Sequence, residues 1–124
     1  MTQYILAIDQ GTTSCRAIIY TAAGTVVAKA QHSITQYFPN DAWVEHDPKE
    51  ILAKTILSCE QALANGKLTA ADIVCIGVTN QRETTVLWDK NTGEPIHNAI
   101  VWQDRRTADY CEQLLQDGLQ EMVK

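Results

Sequence analysis

Two short runs of apolar and β-branched residues, Tyr4–Ile8 and Ala17–Tyr20, stand on either side of Asp9-Gln10-Gly11-Thr12-Thr13-Ser14-Cys15-Arg16. Each run reads as a buried strand, so the residues between them form a bend joining two strands. They include an acid, a glycine, three consecutive hydroxyls and an arginine. A strand ending in Asp9 delivers a carboxylate to a sheet edge, where it can face Mg²⁺. That cation keeps several waters, and one carboxylate beside phosphate oxygens is enough to hold it. Gly11 is expected to supply positive φ and to let a phosphate approach without meeting a Cβ. Thr12, Thr13 and Ser14 offer hydroxyls beside consecutive backbone N–H groups, and Arg16 adds a charge that forks onto phosphate. A polar hairpin turn accounts for the same letters. The stretch is not a Walker A loop, because no G-x-x-x-x-G-K-[ST] occurs in the sequence.

A chain of 124 residues, 45% hydrophobic and 20% charged, is enough for one domain with a core. Its net charge of −5 argues against nucleic acid and anionic membrane as partners. No apolar run reaches membrane-spanning length, and no signal-peptide pattern opens the sequence. Cys15, Cys59, Cys75 and Cys111 show no C-x-x-C pairing, so they read as small buried hydrophobes in a reducing cytoplasm.

Taken in order, strands are expected over about Gln3–Ile8, Arg16–Tyr20 and Val26–Ile34, joined by tight turns into an antiparallel meander. His32 reads as a surface or edge residue. The segment 37–46 reads as a surface loop pinned by burial of Tyr37, Phe38 and Trp43. A helix follows, with Asp47 as N-cap, Pro48 at N1, Glu50 completing a capping box, and Asn65-Gly66 as the stop. Ile51, Leu52, Ile56, Cys59 and Leu63 are expected on its inner face. Thr69–Asp72 reads as a short capped turn. The continuous apolar run 73–79 suggests a strand covered on both faces. Further strands are expected at 84–88 and 99–102, then a helix over about Thr107–Asp117 with Ala108, Cys111, Leu114 and Leu115 inward, ended by Gly118. Residues 119–124 read as a frayed linker. The order β-β-β-α-β-β-β-α describes a mixed α/β sheet of about five or six strands, the first three antiparallel, with helices packed on it.

Ligands in open α/β sheets gather beyond the carboxyl ends of strands. Asn80-Gln81-Arg82-Glu83 stands at such an end. Arg82 donates in a fixed fork and Glu83 accepts, a pairing complementary to a polyol, with Trp102 laid against its carbons. A surface ion pair beside a buried tryptophan accounts for the same residues equally well.

Four stretches together resemble the FGGY carbohydrate kinases, and within them the branch acting on glycerol. They are Asp9–Ser14 with Arg16, Trp43-Val44-Glu45-His46-Asp47-Pro48, Thr79-Asn80-Gln81-Arg82-Glu83-Thr84, and Asn98–Gln103 with Arg105-Arg106. The first is shared broadly among sugar kinases, and the third is the sharper. The resemblance implies a ribonuclease H-like (actin-like ATPase) fold and ATP-dependent phosphorylation of glycerol to sn-glycerol 3-phosphate. It implies that Thr12, Thr13, Ser14 and Arg16 meet the ATP/ADP phosphates and that Asp9 faces Mg²⁺. It implies that Arg82, Glu83 and Trp102 bind glycerol. Cys15 stands where many relatives carry a small polar residue, and is expected to point into the core. Residues 1–124 are expected to be part of an N-terminal domain, with the second domain and the general base lying beyond them, so that this chain alone is inactive. The full-length protein is expected to be a cytoplasmic homo-oligomer. A fragment of another polyol or sugar kinase of the family and a non-catalytic self-associating module are the competing readings.

Overall fold

The computed structural model describes residues 3–119 and residue 121. Strands β1 (Tyr4–Gln10), β2 (Ser14–Thr21) and β3 (Val26–Ser33) form the expected antiparallel meander. A two-residue strand, β4 (Glu45–His46), precedes helix α1 (Pro48–Gly66). A 3-10 turn at Ala70–Asp72 leads into β5 (Ile73–Thr79), which runs parallel to β1 and completes a four-stranded sheet of order β3-β2-β1-β5. The short strand β6 (Ala99–Ile100) pairs with β4 in a separate two-stranded sheet, and α2 (Ala108–Gln116) follows. In place of a strand at 84–88 there are isolated bridges, Thr85 to Ile100 and Trp88 to Pro95.

Alternation along the strands decides which face α1 covers. Leu6, Ala17 and Ile19 are buried against Ala62 of α1, with Tyr4, Ile8, Cys59 and Leu63 packed around them. The fully buried Cys15 lies in the same row of β2, as expected. The helix is buried through small residues, Thr55, Ser58 and Ala62. The first two also satisfy polar groups: Thr55 accepts from Gln10 Nε2 at 3.2 Å, and Ser58 donates to the Cys15 carbonyl at 3.0 Å. Leu52 and Ile56, expected inward, are 58% and 49% exposed. Their row is turned from the β2–β3 ridge on which the helix sits. His32 on the edge strand β3 is half-buried, with Nδ1 2.9 Å from Ser58 Oγ.

Both helix ends differ in detail from the sequence reading. Asp47 caps the Lys49 N–H at 2.8 Å, but Glu50 accepts from the backbone N–H and hydroxyl of Thr35 rather than closing a capping box. The reciprocal box belongs to Thr69 and Asp72. Gly66 is still helical, and a Cβ there would stand 3.2 Å from that of Ala28. Lys67 takes the left-handed cap conformation instead, at φ 53°.

The largest departure is β5. Val74, Ile76 and Val78 are 55%, 58% and 65% exposed, because β5 is an edge strand and α1 packs over β2 and β3. Likewise α2 buries no residue, and its expected inner positions Ala108, Cys111 and Leu115 are exposed. Gly118 ends it at φ 73°. In the 37–46 segment Phe38 is 69% exposed and Tyr37 is also exposed, so of the three aromatics only the half-buried Trp43, under the Arg106 guanidinium, pins it by its side chain. A bridge between Tyr37 and Glu45 adds to this, with the Arg105 N–H donating to the Ala42 carbonyl at 2.9 Å. The expected linker 119–124 lies outside the described residues apart from Leu119 and Glu121.

Candidate functional site

Parallel pairing of β1 with β5 brings their carboxyl ends side by side, Asp9 opposite Thr79. The bends that follow the two strands therefore meet. In the first, the Gly11 N–H donates to the Ser14 carbonyl at 2.9 Å. Gly11 does not have the expected positive φ; a Cβ there would stand 2.9 Å from that same carbonyl oxygen, so closure of the bend is what excludes a side chain. Three successive carbonyls are tied down from outside the bend. Gly11 O accepts from Gln81 Nε2 at 2.9 Å, Thr12 O from Gln36 Nε2 at 2.9 Å, and Thr13 O from the Ile34 N–H at 3.1 Å. Thr13 is exposed at the tip, and Ser14 Oγ accepts from Gln31 at 2.8 Å.

Asp9 and Arg16 face one another in the β1–β2 register, on the sheet face away from α1. Among the described residues no ion pair joins them. Arg16 Nε is buried without a hydrogen-bond partner. Arg16 lines a depression of about 700 Å³ together with Ile18, Val26, Lys29 and Gln31.

The second bend leaves its charged groups uncommitted. Arg82 and Glu83 are exposed and make neither an ion pair nor a hydrogen bond among the described residues. Glu83 is held at φ 65°, a left-handed conformation that disfavours a side chain. Trp102 lies just after β6, 52% exposed rather than buried, and its indole N–H donates to Thr12 Oγ1 at 2.9 Å. Thr12, Asn80, Gln81, Arg82, Glu83 and Trp102 together line one cleft of about 300 Å³. The structure thus unites Thr12, Arg82, Glu83 and Trp102, while Asp9, Ser14 and Arg16 do not line that cleft and lie on the sheet face away from α1, Arg16 in the separate depression beside β3.

An ionic clamp sets the Trp102 side of the cleft. Arg106 Nη2 reaches Glu45 Oε1 and Asp104 Oδ2, each at 2.8 Å, while Nε donates to Asp104 Oδ1 at 2.9 Å. The guanidinium stacks 3.8 Å above the Trp43 ring. Asp104 also accepts from the Val44 N–H at 2.7 Å, and Glu45 from Asn98 at 3.1 Å. Hydrogen bonding to Arg106 draws the Asp104 carboxyl down to about 2 and lowers that of Glu45 as well. Sequence reasoning gave Arg106, Asp104, Gln36 and His46 no role. The Glu45-His46 and Arg105-Arg106 pairs were conspicuous, but nothing along the chain says which acid meets which base.

The fold is that of the ribonuclease H-like, actin-like ATPase class, with a hydroxyl-rich bend and a charged bend at the ends of adjacent strands. Residues 4–124 match the model of the FGGY family of carbohydrate kinases, N-terminal domain, and the chain belongs to that family. It is 58% identical over 123 residues to a glycerol kinase of Ectopseudomonas mendocina, covering 99% of this chain and 25% of that one. It is 59% identical over 118 residues to glycerol kinase 1 of Pseudomonas aeruginosa, covering 95% and 24%. The chain thus spans about a quarter of the length of the curated relatives it matches. Among solved structures it is similar to Plasmodium falciparum glycerol kinase with ADP, with a TM-score of 0.82 and 34% identity over 91% of this chain and 23% of that one. Gluconate kinase from Lactobacillus acidophilus shares the fold, with a TM-score of 0.89 and 20% identity over 99% of this chain and 24% of that one.

Proposed function

We propose that this chain supplies the glycerol pocket and part of the phosphate site of an ATP-dependent glycerol kinase, which makes sn-glycerol 3-phosphate. The observation that carries the reading is the hydrogen bond from Trp102 to Thr12, which joins the hydroxyl-rich bend to the cleft holding Arg82 and Glu83. In that cleft Arg82 donates to glycerol hydroxyls, Glu83 accepts from them, and the Trp102 face covers the carbons. Thr12, Thr13 and Ser14 meet the nucleotide phosphates. The unpartnered Arg16 Nε and the uncommitted Asp9 fit a phosphate and a hydrated cation respectively. Mg²⁺ bound with ATP neutralises phosphate charge, and a single carboxylate with phosphate oxygens suits its preference for few protein ligands. Among the described residues no group of three His, Cys, Asp or Glu side chains is placed to cage a metal by itself.

Phosphoryl transfer is mainly positioning and charge neutralisation, so residues 1–124 act as one part of a domain and require the remainder of the kinase for turnover. Substitution in a full-length kinase carrying this segment tests the assignment. Arg82→Ala should raise KM for glycerol by at least tenfold with KM for ATP little changed, and Arg16→Ala should do the reverse. If both changes fall on the same substrate, the division of the site is wrong. Turnover of ATP and glycerol by residues 1–124 alone would contradict the partial-domain reading. A kinase for another small polyol remains the alternative, and is favoured if glycerol fails in a substrate panel.

A further inference from the structure

His46 is fully buried, and both of its ring nitrogens are engaged. Their donor and acceptor roles follow from the groups beyond them. Gln36 Nε2 donates to the carbonyls of Thr12 and Ile34, at 2.9 and 3.4 Å, and those can only accept. Gln36 Oε1 is therefore the atom facing His46 Nε2 at 2.7 Å, and Nε2 must carry a proton. On the other side, Gln81 Nε2 donates to the Gly11 carbonyl at 2.9 Å, while Gln81 Oε1 accepts from Thr84 Oγ1 at 3.2 Å. The second Gln81 N–H then points at His46 Nδ1, 3.2 Å away, which must be bare. Both ends demand the same neutral tautomer.

We propose that His46 is a positioning residue that, as the neutral Nε2–H tautomer, fixes the Gly11–Thr12 bend through Gln36 and Gln81 and ties it to the cleft-lining residue Gln81. The consequence for phosphate rests on the function proposed above; the tautomer and the fixing of the bend do not. A proton added at Nδ1 would face the Gln81 amide donor, and turning that amide over would forfeit its bond to Gly11. Burial pushes the His46 pKa down from its usual value, against the opposing field of Glu50 on α1. Thr35 holds that Glu50 carboxylate, and the other groups meeting the ring are the two neutral glutamines. The native state therefore binds this proton less readily than the unfolded chain. Its contribution to stability is full above about pH 6.5 and is lost as pH falls toward the lowered value.

The test is nitrogen-15 NMR of the imidazoles in the 124-residue chain, combined with amide hydrogen exchange. At pH 7 His46 should show a protonated Nε2 and a bare Nδ1. Below its titration midpoint the Gly11 and Ile34 amides should exchange at least tenfold faster, after correction for intrinsic rates, relative to Ile19 in the core. An Nδ1–H tautomer, averaging between tautomers, or acid loosening of core and bend alike would overturn the proposal. Gln81→Glu places an acceptor at Nδ1 and should raise the His46 midpoint by one pH unit or more, a tenfold gain in proton affinity. A folded variant with an unmoved midpoint contradicts it, and if the variant does not fold, the wild-type readings decide.

Discussion

The two bends at the mouth of the cleft are built in opposite ways. The Gly11–Ser14 bend is held through its backbone: three consecutive carbonyls are bonded by Gln81, Gln36 and Ile34, and the Gly11 N–H closes the bend itself. The Arg82–Glu83 bend offers side chains with no partner among the described residues, on a backbone at φ 65°. A surface that grips many-oxygened phosphate gains from pre-set geometry. One that recognises hydroxyls needs donors and acceptors left free to be used.

Removing what supports the cleft should have the largest effect. Arg106→Ala leaves Glu45 and Asp104 as near-buried unpaired carboxylates and should destabilise the chain by about 3 kcal/mol, read by urea denaturation. Acid should dissolve the same clamp: both carboxyls have lowered pKa values, so their contribution is complete above about pH 4.5 and is lost as pH falls toward 2. A melting temperature that stays flat between pH 4.5 and 2.5 would count against it. Gly11→Ala drives a Cβ into the Ser14 carbonyl and should remove about 2 kcal/mol, with amide shifts concentrated in residues 10–15. At the other bend the sign reverses. Glu83→Gly relieves the left-handed strain and should stabilise by about 0.5 kcal/mol in the same denaturation experiment, while removing the proposed acceptor for glycerol. Arg82→Ala should change stability by less than about 0.5 kcal/mol, since nothing rests on it. A large loss there would show that the second bend is structural too.

Sequence pattern exposed the meander, the Asp47–Pro48 helix start and the meeting of chemistry at strand ends, because strand alternation, capping and turn chemistry are local. It misled where cover was at issue. The run Ile73–Thr79 is apolar on every position but its last, yet β5 is an edge strand outside the main footprint of α1, with Ile73 alone packed on the core, so apolar letters there record affinity for cover rather than its presence. The amphipathic stripe of α2 declares a face without naming a partner in the same way. The roles of Gln36 and His46 were hidden for the converse reason: polar residues in an irregular segment read as solvated, and only tertiary structure shows that they connect that segment to the first bend. Arg82, Glu83 and Trp102 were legible as chemistry; the Thr12–Trp102 bond joining them to the bend, across 90 residues of sequence, was not.

That bond is the most direct point at which to test the shared cleft. In a nuclear Overhauser spectrum of the 124-residue chain, the Trp102 indole N–H should show a cross-peak to the Thr12 methyl group, and Thr12→Val should shift the indole signal. A Trp102 ring with contacts to neither Thr12 nor residues 80–84, and an indole N–H indifferent to Thr12→Val, would place the two bends apart and contradict the account.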